Sequence, residues 1–254
     1  MQRLRRLSGR RGARLEEGRF VIDGPTLLAE ALRSGVAVEE VFTSGGQEAL
    51  VRAAAEAGAT VREVSADVLA RATDTTTSQG VAAVAARVEV SLEEACRALR
   101  AGPLGLVLVD VGDPGNAGTL VRAAEAAGAA AVLFCGSSVD PSNGKCVRAS
   151  AGALFHVPIA SGGEVRPVLE GLGELGVRRV ATVVDGGAPY DEADLTGPVA
   201  LVLGSEAHGL PAAVDDLVDE RVTIPMVGRS ESLNVAMAGA VLCFESLRQR
   251  RLAR

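Results

Sequence analysis

The sequence predicts an α/β protein, a small α/β domain followed by a larger one built on a parallel sheet. Three observations carry this. Short apolar runs alternate with amphipathic helical runs along most of the chain. The runs of the second half, LGLVLVD over 104–110 and VALVLGSE over 199–206, are continuously apolar where they begin, as strands covered on both faces must be. The segments between them have the length of a strand–helix–strand crossover, which joins parallel strands.

In chain order, RFVID at 19–23 is a short strand. Gly24-Pro25 turns the chain into an amphipathic helix, TLLAEALRSG, that ends at Gly35, a residue suited to a helix C-terminus. VEEVFTS at 38–44 is a second strand and EALVRAAAEAG a second helix, closed by Gly58. TVREVS at 60–65 is a third strand, the polar stretch ATDTTTSQG at 72–80 a loop, and VAAVAARVEV at 81–90 a fourth strand. A linking helix follows and stops at Gly102-Pro103. The second domain begins with strand 104–110, loop VGDPGN, helix AGTLVRAAEAAG and strand AAVLFC at 130–135. A short helix over 145–154, a strand at HVPI, helix 165–176 and strand RRVATVV at 178–184 come next. Strand 199–206, a short helix after Pro211, strand RVTIPM at 221–226 and a helix over 233–250 complete the chain. The domains are therefore 1–95, with a basic arm at 1–18, and 104–254, joined by a linker at 96–103.

Composition narrows the function. At 254 residues and 48% hydrophobic, the chain can bury one large core or two ordinary ones. It has no apolar run long enough for a membrane span and no signal-peptide core, so a cytoplasmic location without membrane contact is expected. Its four cysteines lack C-x-x-C spacing and its histidines number two, so no metal site or Ser-His-Asp triad is expected. The net charge is −6, yet residues 1–19 hold seven Arg against two Glu. A basic arm on an acidic body suits nucleic-acid contact; a solvated tail is the alternative.

Three stretches carry chemistry. In DPGNAGTLVRAAEAAG, Asn116 can cap the helix, and Arg122 lies about 200° around from Leu120, where a guanidinium can grip phosphate; pairing with Glu125 or Glu206 is the alternative. In LVLGSEAHGLP, a buried strand ends at Gly204, whose missing side chain lets a ligand reach the backbone, and Glu206 follows at the carboxyl edge where α/β sheets bind ligands. His208 reads as a base or as a surface turn residue. In IPMVGRSESLNVAMAGAVLCFE, Ser232 and Asn234 precede a helix rich in small residues. Gly239 there costs roughly 1 kcal/mol relative to Ala, so close approach by a backbone or a ligand is expected; plain packing on a sheet is the alternative. No strand leads into G-x-G-x-x-G, which argues against a nucleotide-dependent oxidoreductase, and GSSVDPSNGKC has neither the spacing nor the Ser/Thr of a P-loop.

Together the three stretches, in this order and spacing and with SVDPSNGKCVRASAGALFHVPI between them, resemble the SpoU (TrmH-type) branch of the SPOUT RNA methyltransferases over residues 104–248. Residues 19–88, including SQGVAAV, resemble the ribosomal-protein-like RNA-binding domain found ahead of that catalytic domain. The resemblance implies a trefoil knot in the parallel-sheet domain, a homodimer, S-adenosylmethionine as cofactor, and 2′-O-methylation of a ribose in ribosomal RNA, ahead of transfer RNA. It implies Asn116, Arg122, Glu206, Ser232 and Asn234 at the catalytic centre, and cofactor contacts at Gly204, Ile224, Met226 and Leu233, largely through backbone. Proposals for the family make the arginine a base. A charged guanidinium cannot accept a proton, so the physical preference is that Arg122 holds phosphate and orients the hydroxyl. The competing reading is a catalytically silent RNA-binding or ribosome-assembly protein of the same fold.

Overall fold

The computed structural model describes residues 1–73 and 79–253; most of the polar loop expected over 72–80 lies outside them. The chain forms two compact units, Met1–Val88 with Ser142–His156, and Glu89–Pro141 with Val157–Arg254.

The first unit is a four-stranded sheet in the order β1 (Arg19–Asp23), β4 (Val81–Ala86), β2 (Val38–Thr43), β3 (Thr60–Glu63). Strand β4 is antiparallel to both neighbours, and β2 and β3 run parallel across helix α4 (Glu48–Glu56). Helix α3 (Pro25–Arg33) starts on a proline, whose fixed φ suits a first helical position. A further helix, α5 (Ala66–Thr73), occupies a stretch for which no element is expected; fully buried Leu69 holds it on the core.

The basic arm is folded. Helices α1 (Gln2–Gly9) and α2 (Arg11–Glu17) precede β1. Leu4 and Leu7, one turn apart, are fully buried in a core with Phe42, Leu69 and Val84. The arginines around them hide this stripe from a reading of composition. Buried Arg14 donates to the Leu7 and Ser8 carbonyls at 2.9 and 3.3 Å, satisfying groups at the end of α1 that have no helical partner. Arg3 donates to Glu17, Glu39 and Glu40 at 2.6, 3.0 and 2.8 Å.

Arg3, then Arg6, hold the Glu17 carboxyl below its ordinary value, and Arg19, then Arg3, do the same for Glu39. Partial burial pulls Glu40 upward, but Arg62 and Arg3 outweigh it and the net shift is down. A carboxyl lowered in the folded state stabilises fully above its unfolded pKa and loses that contribution as pH falls through the folded one. Thermal stability should therefore be level from neutrality to just above 4.5, the ordinary glutamate value, and fall below it. Arg3→Ala should flatten that fall; an unchanged acid profile in melting scans would show that the network contributes nothing.

Residues 142–156 group with this unit. The reason is helix α8 (Gly144–Ala149), which packs on β1 and buries Cys146 and Val147. Arg148 lies 3.6 Å from Asp23, and His156 Nε2 lies 2.9 Å from Glu30.

The second unit is a seven-stranded, wholly parallel sheet in the order β7 (Ile159–Gly163), β6 (Ala131–Cys135), β5 (Leu104–Val109), β10 (Val199–Leu203), β8 (Arg178–Thr182), β11 (Glu220–Thr223), β9 (Ala188–Pro189). Every residue of β5, β6 and β10 is buried, as their apolar runs require. Helix α6 (Leu92–Ala101), which takes in most of the expected linker, lies on β6, β7 and helix α9 (Val165–Glu174). Helix α10 (Val235–Leu252) packs on helix α7 (Pro114–Ala126) and β10. A Cβ at Gly239 would overlap Leu120 of α7 and lie 3.4 Å from Leu203 of β10, so the close approach expected there comes from side chains of the same chain. Among the described residues no helix is long and apolar enough to cross a membrane.

Candidate functional site

Parallel strands end together, and their carboxyl edge collects the loops that follow them. At β8, β10 and β11 these loops surround a cavity of about 220 Å³. Leu203, Ile224, Leu233 and Val235 supply apolar walls, and Glu206, Glu231 and Ser232 supply polar groups.

The loop after β10 turns back at once. Ser205 and Gly209 exchange backbone hydrogen bonds at 3.1 and 2.8 Å, and Gly209 takes a φ of +65°, open to glycine. The returning chain crosses Gly204 so closely that a Cβ there would lie 2.6 Å from the Leu210 nitrogen. Gly204 is thus required by the loop's own backbone, besides lining the cavity. His208 is an exposed turn residue, its N–H donating to Ser205 Oγ at 3.4 Å.

Helix α7 is capped by Asp113, whose Oδ1 accepts from the Asn116 N–H at 2.8 Å; Asn116 is not the cap. Pro114 takes the first helical position, so the cap falls one residue before it. This frees the Asn116 side chain. Asn234 caps α10, its Oδ1 accepting from the Ala236 and Met237 N–H groups at 2.9 and 3.4 Å. Its amide can then only donate, and does so to Asn116 Oδ1 at 3.1 Å. Asn116 in turn donates to Glu206, a carboxylate that can only accept. One directed chain of hydrogen bonds therefore ties the loops after β5, β10 and β11.

The β5–α7 loop is also laced to the loop after β6. Asp110, with a φ of +56°, accepts from Ser137 N–H and Oγ–H at 2.7 and 2.8 Å. Ser138 Oγ accepts from the Val111 N–H and donates to the Leu108 carbonyl.

The structure thus brings Asn116, Glu206 and Asn234 into direct contact and sets Gly204, Ile224, Met226, Ser232 and Leu233 around the cavity. Arg122 stands apart. It is exposed, does not line the cavity, and among the described residues its side chain has no hydrogen bond or ion pair, with Glu125 and Glu206 included. Two contributors carry no expectation from the sequence: Asp113, and the wall formed by Thr182, Val183 and Val184. The Asp-Pro pair was a legible cap signal; the wall depends on β8 lying beside β10, which no local pattern records.

The family model described as SpoU rRNA Methylase family matches residues 103–244, and one described as MRM3-like substrate binding domain matches residues 1–83. The chain is 34% identical over 232 residues to the 23S rRNA (guanosine(2553)-2′-O)-methyltransferase RlmP of Bacillus subtilis, covering 91% of this chain and 89% of that one. It is 32% identical to a 23S rRNA (uridine(2479)-2′-O)-methyltransferase of Streptomyces viridochromogenes, covering 98% and 89%. An AdoMet-bound rRNA methyltransferase from Sinorhizobium meliloti superposes with a TM-score of 0.85 at 30% identity, covering 97% and 93%.

Proposed function

The chain belongs to the SpoU rRNA methylase family, and on that premise we propose that it methylates a ribose 2′-hydroxyl of ribosomal RNA with S-adenosylmethionine as donor, in the cytoplasm. The observation that carries this is the hydrogen-bonded chain Glu206–Asn116–Asn234 at the rim of the carboxyl-edge cavity. It joins the three stretches that carry the family resemblance.

The cavity suits the cofactor. Its apolar walls can take an adenine ring, and its described lining includes two glutamates and no cation, which favours a ligand bearing its own positive charge. Gly204, Ile224, Met226 and Leu233 would hold it. Bound there, S-adenosylmethionine supplies an activated methyl sulfonium. The chain's task is to align a ribose hydroxyl with it and let the proton leave. Arg122, held by no partner of its own among the described residues, is available to grip substrate phosphate and orient that hydroxyl. Asn116, Glu206 and Asn234 keep the loops in register, and Ser232 adds a polar group to the cavity lining. Transfer of label from methyl-labelled S-adenosylmethionine to ribosomal RNA, followed by mapping of methylated riboses, tests the reading. RNA binding without transfer would establish the silent RNA-binding alternative instead.

A homodimer is part of the proposal. Met237 and Phe244 of α10 are 63% and 50% exposed and follow helical spacing through half-buried Val241; Met226 and Val227 are exposed nearby in sequence. Exposed apolar surface of this kind marks an interface. Sedimentation at micromolar concentration should give a dimer, and Met237→Asp with Phe244→Asp a monomer. A fully active wild-type monomer would overturn this part.

A further inference from the structure

The two units differ in charge. The first carries fourteen Arg and Lys against eleven Asp and Glu, the second twelve against twenty-one. A polyanion is therefore favoured on the first. Much of its positive charge is already committed, however. Arg3, Arg6, Arg19 and Arg62 pair with glutamates, Arg33 with Glu30, and Arg148 with Asp23; Arg14 is buried against carbonyls. In this unit, the described cations whose side chains have neither a hydrogen bond nor an ion pair are Arg5, Arg10, Arg11 and Arg52. Three of the four fall within the first eleven residues.

Their setting is open. Arg10 leaves the helical conformation, with φ −119° and ψ 112°, and separates α1 from α2. Gly9 and Gly12 flank the pair Arg10-Arg11, and nothing lies within 4 Å of where a Cβ would stand on either glycine. Arg5 lies one helical turn before Gly9, on the side of α1 that leads to this tip. Leu4 and Leu7 anchor the helix beneath it. The result is a fixed tip of bare backbone with three uncommitted guanidinium groups, each able to fork onto phosphate. Stacking has little to offer in its place, because the whole chain has no Trp, one Tyr and five Phe.

Resting on the function proposed above, we infer that Arg5, Arg10 and Arg11, at the tip between α1 and α2, hold the phosphate backbone of the RNA substrate. Arg3, Arg6, Arg14 and Arg19 instead maintain the fold. Truncation cannot separate these roles, since it would remove Leu4, Leu7 and Arg14 from the core. Point variants of the full chain can. For a ribosomal RNA transcript, the slope of log affinity against log salt should fall by about 0.7 to 0.9 for each phosphate contact removed. Arg10→Ala with Arg11→Ala should therefore lower the slope by roughly 1.5. Melting and S-adenosylmethionine affinity should stay unchanged, and the corresponding Lys pair should keep the slope. Arg3→Ala should do the reverse, lowering the melting midpoint and leaving the slope. An unchanged slope in the Arg10/Arg11 double variant overturns the inference, as does a slope lost only together with melting stability. The function itself is tested separately: wild-type protein that binds RNA but transfers no methyl sinks the methyltransferase reading and leaves the slope test to decide the tip.

Discussion

Arg122→Ala is expected to lower methyl transfer by two orders of magnitude or more, on the order of what one preorganised charged contact to a transition state contributes, while cofactor affinity stays within about three-fold, well under 1 kcal/mol. The guanidinium lines no part of the cavity, so its loss leaves the cofactor walls intact. Arg122→Lys should fail as well, because a point charge does not reproduce a planar fork. Near-normal turnover in either variant would remove Arg122 from the catalytic centre. Because Arg122 lies off its own chain's cavity, a dimer could bring it to the partner's. Mixing Arg122→Ala protomers with cavity-defective protomers would then restore roughly a quarter of the activity, since half the dimers are mixed and each has one complete site. No restoration would place the whole site within one chain.

Gly204→Val should weaken cofactor binding by about ten- to a hundred-fold or more. A Cβ at 204 would meet the backbone of Gly209 and Leu210, with Leu210 N at 2.6 Å, and a backbone cannot turn away as a side-chain tip can. Contacts that short cannot be kept, so the Ser205–Gly209 pairing opens and one cavity wall is lost. The loss of that wall predicts an affinity lower by about ten- to a hundred-fold or more in calorimetric titration. Gly209→Ala is the control for conformation without crowding: its φ is +65° but nothing lies within 4 Å, so the cost should be confined to about 1 to 2 kcal/mol. Wild-type affinity in Gly204→Val would mean that the loop yields freely and does not shape the site.

Whatever depends on neighbours along the chain is legible in the residues alone. The runs 104–109 and 199–203 read as buried parallel strands because side-chain burial on both faces demands continuous apolarity, and β5 and β10 occupy those residues. Asn234 read as a helix start because a cap acts within three residues, and it caps α10. The order of the three chemistry-bearing stretches identified the family. The arm's fold was within reach through Leu4 and Leu7, but two leucines are a weak stripe beside seven arginines in residues 1–19. The packed fold, by contrast, is what makes Asn116 bond Glu206 across 90 residues and Asn234 across 118. It also makes Gly239 a seat for Leu120, places β10 between β5 and β8, and packs α8 on β1. Each of these follows from which strands and helices become neighbours. That choice is made by the summed packing of whole sheets, so no local run of residues encodes it.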